Sequence, residues 1–270
     1  MKRILAILCL VFLLLSNAGA DEELPEWNYP IDPLLLQDPA GYLVLTNKSS
    51  LLDSSFVPND LVNVKLKREG TCQLRKPVHE ALEKMFSAAS EAGYTLYVKS
   101  AYRSYQTQKT MYYNRLDRLG RDDGLVAYPG SSDHQTGMGI DVLNYEWMQK
   151  DGMNYRFASE AEAKWMAAHC HEFGFVIRYL EGKEDVTGIE YEPWHLRYVG
   201  KEVAAYMMEN NLTLEEFTSE WQAYVADFEA NHMNFADYCK ALSAFPPPVE
   251  TGAFGEDGDS EVSMFYSQDR

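Results

Sequence analysis

Two hydrophobic periods alternate along this chain, and the switches between them predict its elements. Over residues 76–92, Val78, Leu82, Met85 and Phe86 recur at helical spacing, and Gly93 stops the run. Residues 94–98 then alternate apolar and polar as a strand does, leading into Ser100-Ala-Tyr-Arg103. Ser104 is placed to cap a helix that runs to about Leu119, and Gly120 closes it. Residues 159–173 read as another helix ended by Gly174, followed by a buried strand over 175–179. Residues 42–45 read as a short edge strand and 202–208 as a helix. Residues 217–245 read as one or two amphipathic, aromatic helices packed on the core. Short strands mixed with helices, without regular βαβ alternation, predict an α+β fold: a small antiparallel sheet with flanking helices.

Departures from these periods divide the chain. Residues 1–20 have the form of a secretory signal: Lys2 and Arg3, then 12 apolar positions from Ile4 to Leu15, then Ala18-Gly-Ala20. That run is short of the roughly 20 residues of a membrane span. Cleavage after Ala20 is therefore expected, with an uncleaved membrane anchor at the N-terminus as the alternative. Residues 21–40 are rich in proline and acid and read as an N-terminal arm; 41–214 form the main domain, 215–245 a helical extension. Pro246-Pro-Pro248 breaks the last helix, and 246–270 read as a disordered acidic tail, with six acidic residues and one basic over 249–270.

Charge narrows the partners. The full chain carries 24 basic and 41 acidic residues; without the two basic residues of 1–20 it has 22 against 41, or −19. Such a chain binds neither nucleic acid nor an anionic lipid surface through bulk charge. Beyond Cys9 three cysteines remain, Cys72, Cys170 and Cys239; an odd number excludes a fully paired framework and leaves open one bridge plus a free thiol.

The chemistry concentrates in two segments. His134-Gln-Thr-Gly-Met-Gly-Ile-Asp141 is answered by Glu192-Pro-Trp-His195. Two imidazoles and a carboxylate (His134, Asp141, His195) are the three-ligand set that leaves a fourth tetrahedral position on zinc open for water. Glu192, three residues before His195, is placed to accept that water's proton. Strand character at Asp141 implies that His134 and Asp141 bracket a turn. His169 and His171, two apart on a helix, point to different faces and cannot share a metal.

Three motifs in order, Ser100-Ala-Tyr-Arg-Ser-Tyr-x-x-Gln108, Tyr128-Pro-Gly-Ser-Ser-Asp-His-Gln-Thr-Gly137 and Tyr191-Glu-Pro-Trp-His-Leu-Arg-Tyr-Val-Gly200, resemble the VanY-like zinc carboxypeptidases of bacterial cell walls. The likeness runs from about residue 42 to 214. It implies the hedgehog/D,D-peptidase-like zinc peptidase fold, one Zn2+ per chain, and removal of the C-terminal D-alanine from peptidoglycan stem peptides; with the leader, a monomer working outside the cytoplasmic membrane is expected. It assigns the metal to His134, Asp141 and His195, the base to Glu192, and substrate contacts to Gln108 and Ser132. Arg103 is left with two roles, steadying the oxyanion of the attacked carbonyl or gripping the substrate's terminal carboxylate. Trp194 and Tyr191 are expected in the cleft wall, Arg197 and Tyr198 behind it. Ala101, Asp133 and Gly139 depart from the family's commoner Gly, Glu and Ala, which leaves fine preference open. An L,D-carboxypeptidase acting on tetrapeptides uses the same motifs. A wall-binding module without catalysis has no need of Glu192.

Overall fold

The computed structural model describes residues 24–244; the expected leader, the Pro-Pro-Pro break and the acidic tail lie outside the described residues. In chain order, α1 (Pro33–Leu36) precedes a two-stranded antiparallel ribbon, β1 (Leu61–Asn63) with β2 (Gln73–Arg75). Helix α2 (Lys76–Glu91) follows at once, with Pro77 in its first turn, where a missing N–H costs nothing. Next come β3 (Tyr97–Ser100), α3 (Tyr105–Leu119), β4 (Gly139–Leu143), α4 (Tyr145–Met148) and α5 (Ala161–His169). The chain continues through β5 (Phe175–Ile177), α6 (Glu184–Thr187), β6 (His195–Tyr198), α7 (Lys201–Glu209), α8 (Leu214–Asn231) and α9 (Phe235–Ala244). Among the described residues no helix is long and apolar enough to cross a membrane.

The central sheet has the order β3-β4-β6-β5, every pair antiparallel, so the α+β expectation holds. Strand β4 is buried along its whole length. One face of α2, carrying Val78, Leu82, Met85 and Ala89, packs into the same core as Val98, Ile140, Val142 and Leu196 of the sheet. Each of the Val, Leu, Ile and Met side chains contributes roughly 1.5–3 kcal/mol by leaving water. Ser104 caps α3 by accepting from the Thr107 N–H, and Gly120 ends it in the left-handed conformation, as its sequence predicts. At Gly139 a Cβ would stand 2.8 Å from the backbone carbonyl carbon of Asp133, so the alanine usual at that position does not fit here without a shift.

Several expectations need correction. Residues 42–45 are not a strand; the carbonyls of Tyr42 and Val44 accept from the Arg197 guanidinium instead of a neighbouring strand. The strand expected from residue 94 starts at Tyr97, because the Tyr94 N–H turns back to the Ala89 carbonyl at the end of α2. The helix expected over 159–173 divides into α5 and a 3-10 turn, Cys170–Phe173, before Gly174. The three cysteines beyond Cys9 are all free and buried, and burial pushes the Cys170 thiol up to about 12.

Residues 24–36 lie along α8 and α9. Trp27 stacks on Phe235 and Tyr238 and meets Tyr224 and Phe228 edge-on, with centroid distances of 4.9–5.9 Å. Thr213 and Glu216 close a capping box at the start of α8.

Candidate metal centre and cleft

Register places the centre. Asp141 on β4 lies directly opposite His195 on β6, so pairing of two central strands brings a carboxylate and an imidazole side by side. His134 arrives from a 3-10 turn, Asp133–Thr136, that Gly137 closes in the left-handed conformation. The Arg103 N–H donates to the His134 carbonyl, which pins this turn to the end of β3. His134 Nε2 is 3.3 Å from Asp141 Oδ2, and His195 Nδ1 is 3.0 Å from Asp141 Oδ1. One candidate ligand atom from each of the three buried residues lies within 4.8 Å of the others.

The donor set fits a cation. His134 Nδ1 contacts the Ala101 carbonyl at 2.7 Å, and a carbonyl only accepts, so Nδ1 carries the hydrogen. Burial, then the Arg103 charge, lowers the His134 pKa and favours the neutral ring. Its Nε2 lone pair then faces a carboxylate, a repulsive contact that a metal ion turns into shared coordination. A ligand imidazole whose other nitrogen donates to a backbone carbonyl is the usual arrangement around metals. Burial opposes charge on Asp141, and its carboxyl is held far below the ordinary range only by positive charge on the imidazole side, which a cation supplies when the His134 ring is neutral. His195 Nε2 is buried with no hydrogen-bond partner among the described residues, so protein groups alone do not satisfy the trio.

Around these three lies a cavity of about 340 Å³, bordered by Arg103, Gln108, Ser132, Glu192 and Trp194 among others. The Glu192 carboxylate is 3.6 Å from His195 Nδ1 and only 8% of the residue is exposed. Burial and then the Asp141 charge push its pKa well above the ordinary carboxylate value, against the pull of Arg103. Arg103 is held in place: Nη1 donates to Gln108 Oε1 at 2.8 Å, Nη2 to Ser100 Oγ at 3.1 Å, and Nη2 stands 4.0 Å from Asp141 Oδ2. The Gln108 amide also donates to the Ala127 carbonyl at 2.7 Å, so both its ends are engaged. Gln108 therefore orients Arg103 and the loop before the first ligand. Ser132 is buried at the cavity wall.

The cavity brings together all the expected residues except Tyr191, which lines a separate groove beside His171 and Met207. Sequence reasoning missed Tyr179, whose buried ring lies 5.1 Å from that of His195 and borders the cavity. It also missed Arg178, a charged residue inside the apolar run 175–179 and thus the available signal. Arg178 Nε donates to Asp133 Oδ2 at 2.7 Å, Arg197 pairs with the other Asp133 oxygen, and all three side chains are buried. Burial opposes charge on Asp133, but the two guanidinium groups hold its carboxyl far below the ordinary range.

Comparison with known proteins adds four findings. A family model described as VanY, D-alanyl-D-alanine carboxypeptidase, matches residues 71–201. The putative carboxypeptidase YodJ of Bacillus subtilis is 42% identical over 191 residues, 67% of this chain and 68% of that protein. Among solved structures, the LD-carboxypeptidase LdcB superposes with a TM-score of 0.63 at 40% identity, over 68% of this chain and 88% of its own. The vancomycin-resistance D,D-pentapeptidase VanY, solved with Zn(II), gives 0.54 at 25% identity over 66% and 98%.

Proposed function

Because the chain belongs to the VanY D-alanyl-D-alanine carboxypeptidase family, we propose that it is a secreted zinc carboxypeptidase, acting as a monomer on peptidoglycan stem peptides to release their terminal D-alanine. The observation that carries this reading is the buried convergence of His134, Asp141 and His195 with Glu192 beside them. His134, Asp141 and His195 hold the ion. Zinc supplies Lewis acidity there, making water nucleophilic near neutral pH and polarising the scissile carbonyl.

The protein's own groups do the rest. Glu192 accepts the proton of the attacking water and passes it to the departing amine of D-alanine. Arg103, fixed by Gln108 and Ser100 close to Asp141, donates to the oxyanion that develops on the attacked carbonyl. That location beside a metal ligand favours the oxyanion role over a grip on the terminal carboxylate. Trp194, Tyr179 and Ile189 wall the cavity and exclude bulk water from the reacting bond.

The family description favours a D,D-carboxypeptidase acting on pentapeptides that end in D-Ala-D-Ala. The L,D reading, on tetrapeptides, has its own support in the 40% identity with LdcB against 25% with VanY. Mass spectrometry of zinc-loaded protein with pentapeptide and tetrapeptide separates them. Loss of one alanine from the pentapeptide alone establishes the D,D activity. Loss from the tetrapeptide alone establishes the L,D activity. Cleavage of neither, with zinc bound, removes the carboxypeptidase reading. A secreted enzyme further requires that residues 1–20 direct export, checked by finding the mature chain, starting at Asp21, outside the cell.

A further inference from the structure

We infer that Glu215, in the first turn of α8, is a positioning residue for the metal centre, acting through Arg178 and Asp133 on His134; the inference rests on the zinc reading above. Sequence patterning treats α8 as an appendage to the main domain. The hydrogen bonds place its first turn inside the frame of the site. Both Glu215 carboxylate oxygens accept from Arg178, Oε2 from Nη1 and Oε1 from Nη2, each at 2.7 Å. The same guanidinium donates through Nε to Asp133 and through Nη2 to the Thr46 carbonyl. The Arg178 backbone N–H donates to the carbonyl of the metal-ligand residue His195 at 3.0 Å.

Asp133 is the residue before His134, and its other oxygen takes Arg197, two residues beyond His195, and the Thr46 hydroxyl. One buried carboxylate thus ties the turn carrying one imidazole to the strand carrying the other. The brace contains two guanidinium groups and two carboxylates, so its charges balance without solvent. A bidentate arginine–carboxylate pair fixes direction as well as distance. Neutralising Glu215 leaves two cations sharing one carboxylate in a dry interior. Arg178 then shifts toward Asp133 alone or toward water, and either shift moves the backbone on which His134 stands. Glu215 is not a cavity residue, so its effect on the site is indirect, carried by Arg178 to Asp133 and to the His195 backbone.

A second bridge from the same region serves as a control. Lys183 reaches Glu216 at 2.6 Å, between side chains 24% and 30% exposed, and touches nothing in the brace. Zinc affinity is measured by competition with a chromophoric chelator on wild type, Glu215→Gln and Lys183→Ala, with folding of each metal-free protein checked by circular dichroism. A wild type that does not bind zinc sinks the metal reading itself and is seen first. Given binding, Glu215→Gln is expected to weaken zinc affinity about 10–100-fold, the usual cost of losing an outer-shell partner, with the KM for peptide at saturating zinc unchanged. Lys183→Ala is expected to bind zinc as wild type does. A folded Glu215→Gln with wild-type affinity overturns the inference, as does an equal loss in both variants. Should Glu215→Gln fail to fold, Arg178→Lys is measured instead, since lysine keeps the charge but cannot make the two-pronged contact. Weakened zinc binding then supports the brace, and wild-type affinity overturns it.

Discussion

The metal centre and the aromatic clasp around Trp27 both tie distant segments of the chain together, with opposite chemistry. Behind the metal ligands, Asp133, Arg178, Arg197 and Glu215 join residues 42–46, β6, α8 and the end of the run just after β5 through buried charge. Around Trp27, residues 24–36 join α8 and α9 through ring faces and edges. Charge pairing fixes geometry tightly but fails when one partner is lost, because the remaining charge is buried alone. Aromatic packing is cheaper to damage, since neighbouring rings readjust. The protein uses the exacting chemistry where positions matter to fractions of an ångström and the tolerant one where only closure matters.

Substitutions test that contrast, beginning with the largest effect. Glu192→Gln should lower turnover by about 10²–10⁴-fold while zinc affinity and thermal stability stay near wild type, read by alanine release and metal competition. Asp133→Asn should cost about 3–5 kcal/mol in chemical denaturation, because two buried guanidinium groups lose their shared anion. Trp27→Ala should cost about 2–3 kcal/mol, below the full cost of a completely buried ring, and leave kcat unchanged. Equal losses of turnover in Trp27→Ala and Asp133→Asn would erase the distinction between the two regions.

A pH dependence sharpens it further. Asp133 has a folded pKa depressed below its unfolded value by Arg197 and Arg178. Its contribution is therefore fully present above an unfolded pKa of about 3.9 and is lost as pH falls toward the folded value. Wild-type stability should decline along this acid limb, and Asp133→Asn should decline less steeply, as followed by denaturation at stepped pH.

Much of this was legible in residue order. The helical period over α2, the Ser104 cap and the terminating glycines are local signals, and they read correctly. The ligand residues were legible because few residue types bind zinc and two short segments contained them. Register was not: that Asp141 faces His195 follows from pairing between strands 54 residues apart, which no local period encodes. The edge strand expected at 42–45 failed for a related reason. Its Tyr42 and Val44 carbonyls are satisfied by Arg197, a side chain from a remote strand, so a short apolar run without a pairing partner misled. Arg178 was hidden likewise, since its partners lie 45 and 37 residues away.

The most direct test of the central claim is a zinc titration of chelator-stripped protein, following D-alanine release from stem peptide as metal is added. The site geometry predicts no release from the stripped protein and full recovery at one equivalent per chain, with His134→Ala failing to recover at that point. Undiminished release without metal, or recovery that ignores loss of His134, would contradict it.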